Sequence, residues 1–418
     1  MTDRAFYENL DAIDALAPLR EAFQLPSGTI YLDGNSLGVM PTAAPARAKQ
    51  VMLQEWSEDL IASWNKADWI SLPMRIGNRI APLIGAGSDE VAVCDSTSLN
   101  LYKVLYTAIQ ISRGRAPQRR RIVSEKSNFP TDLYIAQSLC KQFDMTLEIV
   151  DSKDIESSIT DDLAILMLTH VNYRSGAIHD MGAITSRAHA CQALTIWDLC
   201  HSAGSIPVDL TACDADFAVG CTYKFLNGGP GAPAFVWVHP RYVDQIEQPL
   251  SGWMGHASPF AFDTQYQPAA GIRRYLCGTP SVLAMSVLDS ALDVFQQAQS
   301  YGGMPEIYKK AQTLTGLFIQ LAEQECAGYG LSLVSPRAPQ ARASQVSLSH
   351  PEGAYAMIQA LIERGVIGDY REPGILRFGF TPLYTRYTDV WDAVMQLKNV
   401  LESEAWRNER FTSRQAVT

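Results

Sequence analysis

Seven short apolar runs follow one another through the middle of the chain: VAVCD (91–95), RRIVSE (120–125), LEIV (147–150), LAILMLTH (163–170), LTIWD (194–198), FAVGCTY (217–223) and APAFVWV (232–238). Most are separated by stretches long enough for a helix. Short runs apolar at successive positions suit strands buried on both faces, so the rhythm predicts an α/β fold with a mostly parallel seven-stranded sheet covered by helices. Residues 3–24 carry a helical pattern, YLDGNSLG (31–38) is an extended piece broken by an Asp-Gly turn, and helical spacing resumes after Pro41 and across 72–85. Beyond a long helical stretch at 281–299, helices at 304–324, 352–364 and 387–402 alternate with short strands such as SLVS and GILRFGF. The expected organisation is an N-terminal segment (1–50) packing with the small domain, a large domain (51–295) and a smaller C-terminal α+β domain (296–418).

With 418 residues, 47% of them hydrophobic, the chain can bury a full core. A net charge of -10 without a concentrated basic stripe argues against nucleic acid as a partner, because phosphate backbones demand clustered Lys and Arg. The one basic patch, RGRAPQRRR (113–121), reads as an exposed connection between elements, with a phosphate-rich partner as the alternative. Eight scattered cysteines without a CxxC pair suit small buried hydrophobes in a reducing compartment. No stretch approaches the roughly 20 apolar residues that span a bilayer, and no signal-peptide pattern opens the chain. A cytoplasmic protein with no membrane association is expected.

Ligands of open α/β sheets bind beyond the carboxyl ends of the strands, where loops and helix N-termini converge. Unusual residues gather there. TYKFLNGGPG (222–231) sets Lys224 between aromatics ahead of a glycine-rich turn, and a lysine in an apolar stretch needs a paired charge or a lowered pKa, as Schiff-base chemistry does. STSLN (96–100) opens a helical pattern, so Ser96 and Thr97 could receive a phosphate or serve as an ordinary N-cap. In SNFPTD (127–132), Phe129 could lie on a planar ring or seal the loop, and Asp132 could be a helix cap. His170 and Asn172, in LTHVNYRSG (168–176), fit turn formation or satisfaction by backbone groups, and neither alone identifies a site. In LTIWDLCHSAG (194–204), Asp198 ends an apolar strand and His201 follows three residues later; a buried carboxylate of this kind keeps a pyridine nitrogen protonated. A metal reading of this pair lacks further ligands in zinc spacing, and no metal is expected. Arg377, inserted between Leu376 and Phe378, suits a bidentate carboxylate partner.

Taken together, Asp198, His201, Tyr223 and Lys224 resemble the pyridoxal-phosphate enzymes of the aspartate-aminotransferase fold (fold type I). The resemblance narrows to the kynureninase family through YLDGNSLG, FPTD, HVNYRSGAIHDM, WDLCHSAGSIPVDL, CTYKFLNGGPGAPAFVWV, SGWMGH and GILRFGFTPLY, in order along nearly the whole chain. It implies a cofactor, pyridoxal 5'-phosphate, and hydrolytic Cβ–Cγ cleavage of L-kynurenine, or of 3-hydroxy-L-kynurenine, to L-alanine and anthranilate or its 3-hydroxy form. It also implies that Lys224 is the Schiff-base lysine, that Asp198 pairs with the pyridine nitrogen and that Phe129 stacks on the ring. Ser96, Thr97, Pro130, Thr131, Asp132, His201 and Tyr223 resemble the remaining cofactor contacts, with Tyr223 reaching the phosphate and acting as the candidate proton donor. Trp253 and Thr279 would come from the neighbouring subunit of a homodimer with shared active sites, and Arg377 would hold the substrate's α-carboxylate.

One position departs from the family pattern. Thr279, preceded by Gly278, stands where asparagine is expected, and a hydroxyl cannot offer an amide's two donors and acceptor. Aminotransferases and cysteine desulfurases share the cofactor logic. A desulfurase, however, needs a reactive cysteine in a mobile late loop, and no cysteine here lies in such a sequence.

Overall fold

The computed structural model describes residues 3–414. After a two-residue strand β1 (Ile30–Tyr31), the seven apolar runs form β2 (Val91–Val93), β3 (Arg121–Glu125), β4 (Thr146–Val150), β5 (Leu163–Thr169), β6 (Leu194–Asp198), β7 (Phe217–Gly220) and β8 (Phe235–Val238). They make one sheet in the order β2-β8-β7-β6-β5-β3-β4. Strand β8 runs antiparallel to both its neighbours, and the remaining pairs are parallel.

Successive side chains of a strand point to opposite faces, and both faces of this sheet are covered. Ile165 and Met167 of β5 join one core with Ile196 and Phe217; Leu166 and Leu168 join another with Trp197 and Trp237. This two-sided burial is why the runs are apolar throughout rather than alternating. The helices Thr97–Arg115 and Pro130–Phe143 each start just beyond the carboxyl end of a strand, after β2 and β3.

The C-terminal part builds a second core. Strands β9 (Ser332–Leu333), β10 (Gln345–Ser349), β11 (Val366–Ile367), β12 (Asp369–Arg371) and β13 (Ile375–Gly379) follow, and four of them form an antiparallel sheet in the order β12-β13-β10-β9. Helices Gly303–Glu325, Ala354–Glu363 and Tyr387–Glu402 pack with it around Phe318, Phe378 and Leu397. The N-terminal segment serves both cores. Tyr7 and Leu32 are buried with the small sheet, whereas Leu16, Leu19 and Phe23 are buried with the large one. Strand β1 pairs in parallel with β11.

The helical pattern at 3–24 resolves into a helix, Arg4–Ala12, and a 3-10 turn, Ala17–Ala22. Pro18 lacks an N–H, and the Asp14 carboxylate accepts from the Leu16 N–H at 3.0 Å, so the chain turns here instead of continuing. The stretch 281–299 likewise divides into Val282–Ala291 and Asp293–Ala298. The basic run 113–121 covers the last turn of Thr97–Arg115, the following connection and the first residue of β3. No helix among the described residues is long and apolar enough to cross a membrane.

Candidate active site

Strand β6 delivers Asp198 to the carboxyl edge of the sheet, and the loop leaving β7 delivers Tyr223 and Lys224 beside it. A cavity of about 200 Å³ opens there, and Lys224 and Asp198 line it together. Ser96, Thr97, Phe129, Thr131, Asp132, His201 and Tyr223 are also in its wall, so residues spread over some 130 positions of sequence converge. Pro130 is the first residue of the helix whose opening turn supplies Thr131 and Asp132.

Lys224 Nζ lies 3.0 Å from His201 Nε2. Burial, then the positive charges of Lys224 and Arg377, hold the His201 imidazole well below its ordinary pKa, so the ring is neutral and its Nε2 can accept from the lysine. Opposite in sign is the carboxyl pair. Burial, then the charge of Asp198, raises Asp132 well above the ordinary carboxyl range, so Asp132 keeps its proton. Asp132 Oδ2 is buried without a hydrogen-bond partner, and Asp198 Oδ1 accepts from the Cys200 N–H at 2.7 Å. Burial also raises the Tyr223 phenol, with Cys221 and Cys200 adding to the shift, so this hydroxyl holds its proton at neutral pH.

The helix Thr97–Arg115 begins in the same wall, with Thr97 Oγ1 3.6 Å from Cys200 Sγ. Ser96 is its N-cap, accepting from Leu99 N–H at 3.4 Å, and its first amides and the Ser96 and Thr97 hydroxyls form an anion-receptive end. Phe129 is 44% exposed, an unusual placement for a large apolar ring, and stands edge-on to Tyr173 with centroids 5.4 Å apart. Hydroxyls at a helix start, a buried pair of carboxyl groups, an amine and an exposed aromatic face together fit pyridoxal phosphate, whose phosphate, ring nitrogen, aldehyde and ring plane each need one of these groups.

Not every expected residue lies in this wall. Thr279 lines a neighbouring cavity of about 190 Å³ with Cys277 and Gly278, and the two cavities share Asp95 and Gly231. Trp253 packs edge-to-face between Trp64 and Phe260, each with a centroid separation of 5.7 Å. Arg377 is buried behind Tyr173, donating from Nη1 to the Tyr173 carbonyl at 2.7 Å. Its Nε donates to Asp369 Oδ1 at 2.7 Å, while Nη2 reaches Asp369 Oδ2 and, at 2.8 Å, Ser36 Oγ. His170 is buried outside the wall, and Asn172 makes a turn by accepting from the Arg174 and Ser175 N–H groups.

Several neighbours were not singled out from the sequence. Asp95, Tyr173 and Cys200 line the cavity. Lys103 is wholly buried, pairs with Asp95 and donates to the Tyr275 carbonyl at 2.6 Å, which joins the cavity floor to the loop that carries Thr279. Gly38 of YLDGNSLG donates its N–H to the Tyr223 carbonyl at 2.8 Å, and a Cβ at Gly38 would collide with the Lys224 carbonyl. That close approach is the signal a glycine there carried.

Solved structures share this fold. A cysteine desulfurase from Thermococcus onnurineus NA1 superposes with a TM-score of 0.76 over 92% of this chain and 98% of its own at 18% identity, and one from Escherichia coli with 0.76 over 93% and 98% at 19%. Fold and site together define a pyridoxal-phosphate enzyme of the aspartate-aminotransferase fold. Sequence relatives narrow the class: kynureninase of Burkholderia mallei (strain SAVP1) is 56% identical over 412 residues, 98% of each chain, and that of Pseudomonas fluorescens is 54% identical over the full length of both. Residues 307–397 match the kynureninase C-terminal domain. The chain belongs to the kynureninase family.

Proposed function

We propose that this protein hydrolyses the Cβ–Cγ bond of L-kynurenine, and of its 3-hydroxy form, to L-alanine and the corresponding anthranilate. The observation that carries this reading is identity of 56% across 98% of both chains to a kynureninase. The reaction adds one water across the bond. The hydroxyl goes to the aryl carbonyl carbon and becomes part of the product carboxylate; a proton goes to Cβ and completes alanine's methyl group.

Lys224 would hold pyridoxal phosphate covalently, Asp198 would pair with its ring nitrogen, Ser96 and Thr97 would hold its phosphate and Phe129 would cover its ring. When bound, the cofactor supplies an aldehyde for the substrate amine and a conjugated ring that takes up electrons. The remaining chemistry is that of the chain. The Lys224 amine moves the Cα proton, and neutral His201 at 3.0 Å orients that amine and accepts its hydrogen bond. Asp132, raised by burial and by the neighbouring Asp198, keeps its proton beside the carboxylate that would face the ring nitrogen. Tyr223, which keeps its proton, is the donor to Cβ. Arg377 captures the α-carboxylate and so fixes which bond at Cα faces the ring.

The same reading includes a homodimer. Trp253 and Thr279 lie outside the wall of their own chain's lysine cavity, and we assign them to the site of a second copy. We infer a division into residues 1–50, 51–295 and 296–418, supported by Tyr7 and Leu32 in the small-domain core. A cytoplasmic setting accords with eight free cysteines.

The test is one assay of purified protein with pyridoxal phosphate, given kynurenine and 3-hydroxykynurenine in parallel. Anthranilate or its hydroxy form must appear with equimolar alanine; keto-acid-dependent amino transfer without alanine would overturn the reading.

A further inference from the structure

A second cavity, of about 350 Å³, lies at the opposite end of the large sheet, where Leu194 begins β6. Leu194 and Asp198 are four positions apart, which at about 3.3 Å per residue sets this cavity about 13 Å from the carboxyl edge. Its wall carries Arg115, Arg119, Arg241 and His189, together with Gln192 and Tyr242, and it contains no carboxylate. In a chain of net charge -10 such a concentration of cations is not a sample of the average surface.

Two of the four cations are balanced from outside the wall. Arg241 pairs with Asp214 and Asp216, and His189 Nε2 lies 2.9 Å from Asp216. Arg115 and Arg119 have no carboxylate partner among the described residues. Among the described residues the Arg115 side chain donates only to the Tyr242 hydroxyl, at 3.3 Å, with its guanidinium 4.8 Å from the centre of that ring. Arg119 donates to the Cys191 carbonyl and, at 3.2 Å, to Gln192 Oε1. Those acceptors hold the Arg119 side chain against the cavity but leave its charge uncompensated. Favourable interaction of Arg115 with the end of the helix Thr97–Arg115 explains one positive charge there, not a pair facing a common space.

We propose that this cavity binds a small organic phosphate, with the phosphate held between Arg115 and Arg119. Guanidinium forks match phosphate oxygens, and the volume falls at the lower end of small-molecule sites, about 300–1,000 Å³, which exceeds the need of a bare ion. Both arginines come from RGRAPQRRR, the segment with no role in the lysine site.

The experiment is calorimetric titration of holoenzyme, freed of excess pyridoxal phosphate, with adenosine 5'-monophosphate, inorganic pyrophosphate and adenosine. The two phosphates should bind and adenosine should not. Arg115→Gln should weaken phosphate binding by about tenfold or more, the Arg115→Gln/Arg119→Gln double variant should abolish it, and Arg115→Lys should restore part of it. Kynurenine turnover and the visible spectrum of Arg115→Gln should match the parent, which also separates this site from the Lys224 site. Absence of phosphate binding at millimolar concentration, equal binding by Arg115→Gln, or equal binding of adenosine would overturn the proposal.

Discussion

The lysine cavity and the surroundings of Arg377 meet at Tyr173 but differ in readiness. Burial holds the protons of Asp132 and Tyr223 and keeps His201 neutral in the cavity wall, and Asp132 Oδ2 has no hydrogen-bond partner among the described residues. Arg377 already has a carboxylate, a hydroxyl and a carbonyl on its guanidinium. On the proposed assignment the cofactor half of the site is preorganised, while Arg377 is held by contacts that an arriving carboxylate would share or displace. Rigid placement suits a group bound for the life of the enzyme; exchangeable pairing suits one bound for a single turnover.

The largest effect expected on that comparison comes from the preorganised side. Lys224→Ala should lower kcat by at least about 10³-fold, within the usual worth of one general base, and abolish the covalent cofactor linkage in the visible spectrum. Retained turnover would remove the lysine from its role. On the exchangeable side, Arg377→Ala should lower kcat/KM by about 10²-fold, mostly through KM. It should also destabilise the fold by about 3 kcal/mol, the lower end for a broken buried pair, because Arg371 at 2.8 Å still faces Asp369. Denaturant titration alongside kinetics separates the two effects, and unchanged kinetics at low substrate would refute the assignment.

A third variant examines the charge balance beneath Arg377. Burial, then the charge of Asp369, raises the Asp33 carboxyl well above its ordinary range, and its Oδ1 has no hydrogen-bond partner. With the folded pKa above the unfolded one, the contribution of Asp33 to stability is fully present below about pH 4 and is lost as pH rises through its folded pKa. Asp33→Asn should therefore gain stability relative to the parent as pH rises from about 4 towards neutrality, read as melting temperature against pH; parallel curves would refute this. The smallest effect belongs to Ser36→Ala, which removes one hydroxyl from both Arg377 and Asp369 and should raise KM a few-fold, consistent with about 1 kcal/mol for one hydrogen bond. An unchanged KM would mean that Ser36 does not help to hold Arg377.

What the sequence disclosed divides along similar lines. The strands, and the carboxylate at the end of LTIWD, were legible because they follow local periodicity and strand-end chemistry. The reversal of β8 was not, since APAFVWV reads the same in either direction; only the lack of a helical stretch after FAVGCTY hinted at it. Strand β10 escaped notice because Gln345 and Ser347 are polar yet buried. Two partners of Arg377, Tyr173 and Ser36, lie 204 and 341 positions away in the sequence; the third, Asp369, lies directly across the β12–β13 ladder from it, a neighbour that pairing the two short strands would have exposed. Arg377 suggested a carboxylate partner, and the structure supplies one from within the chain.

The reversed β8 has a consequence for how such an enzyme can diversify. Because β8 enters the sheet at the carboxyl edge, residues 221–234 leave β7 and return to its neighbour without a crossover helix. Lys224 is thus carried on a loop fastened at both ends to adjacent strands and pressed by Gly38 from a third side. A change in the length of this loop would move the amine relative to both strands and to Gly38, so an enzyme of this shape varies most freely away from residues 221–234.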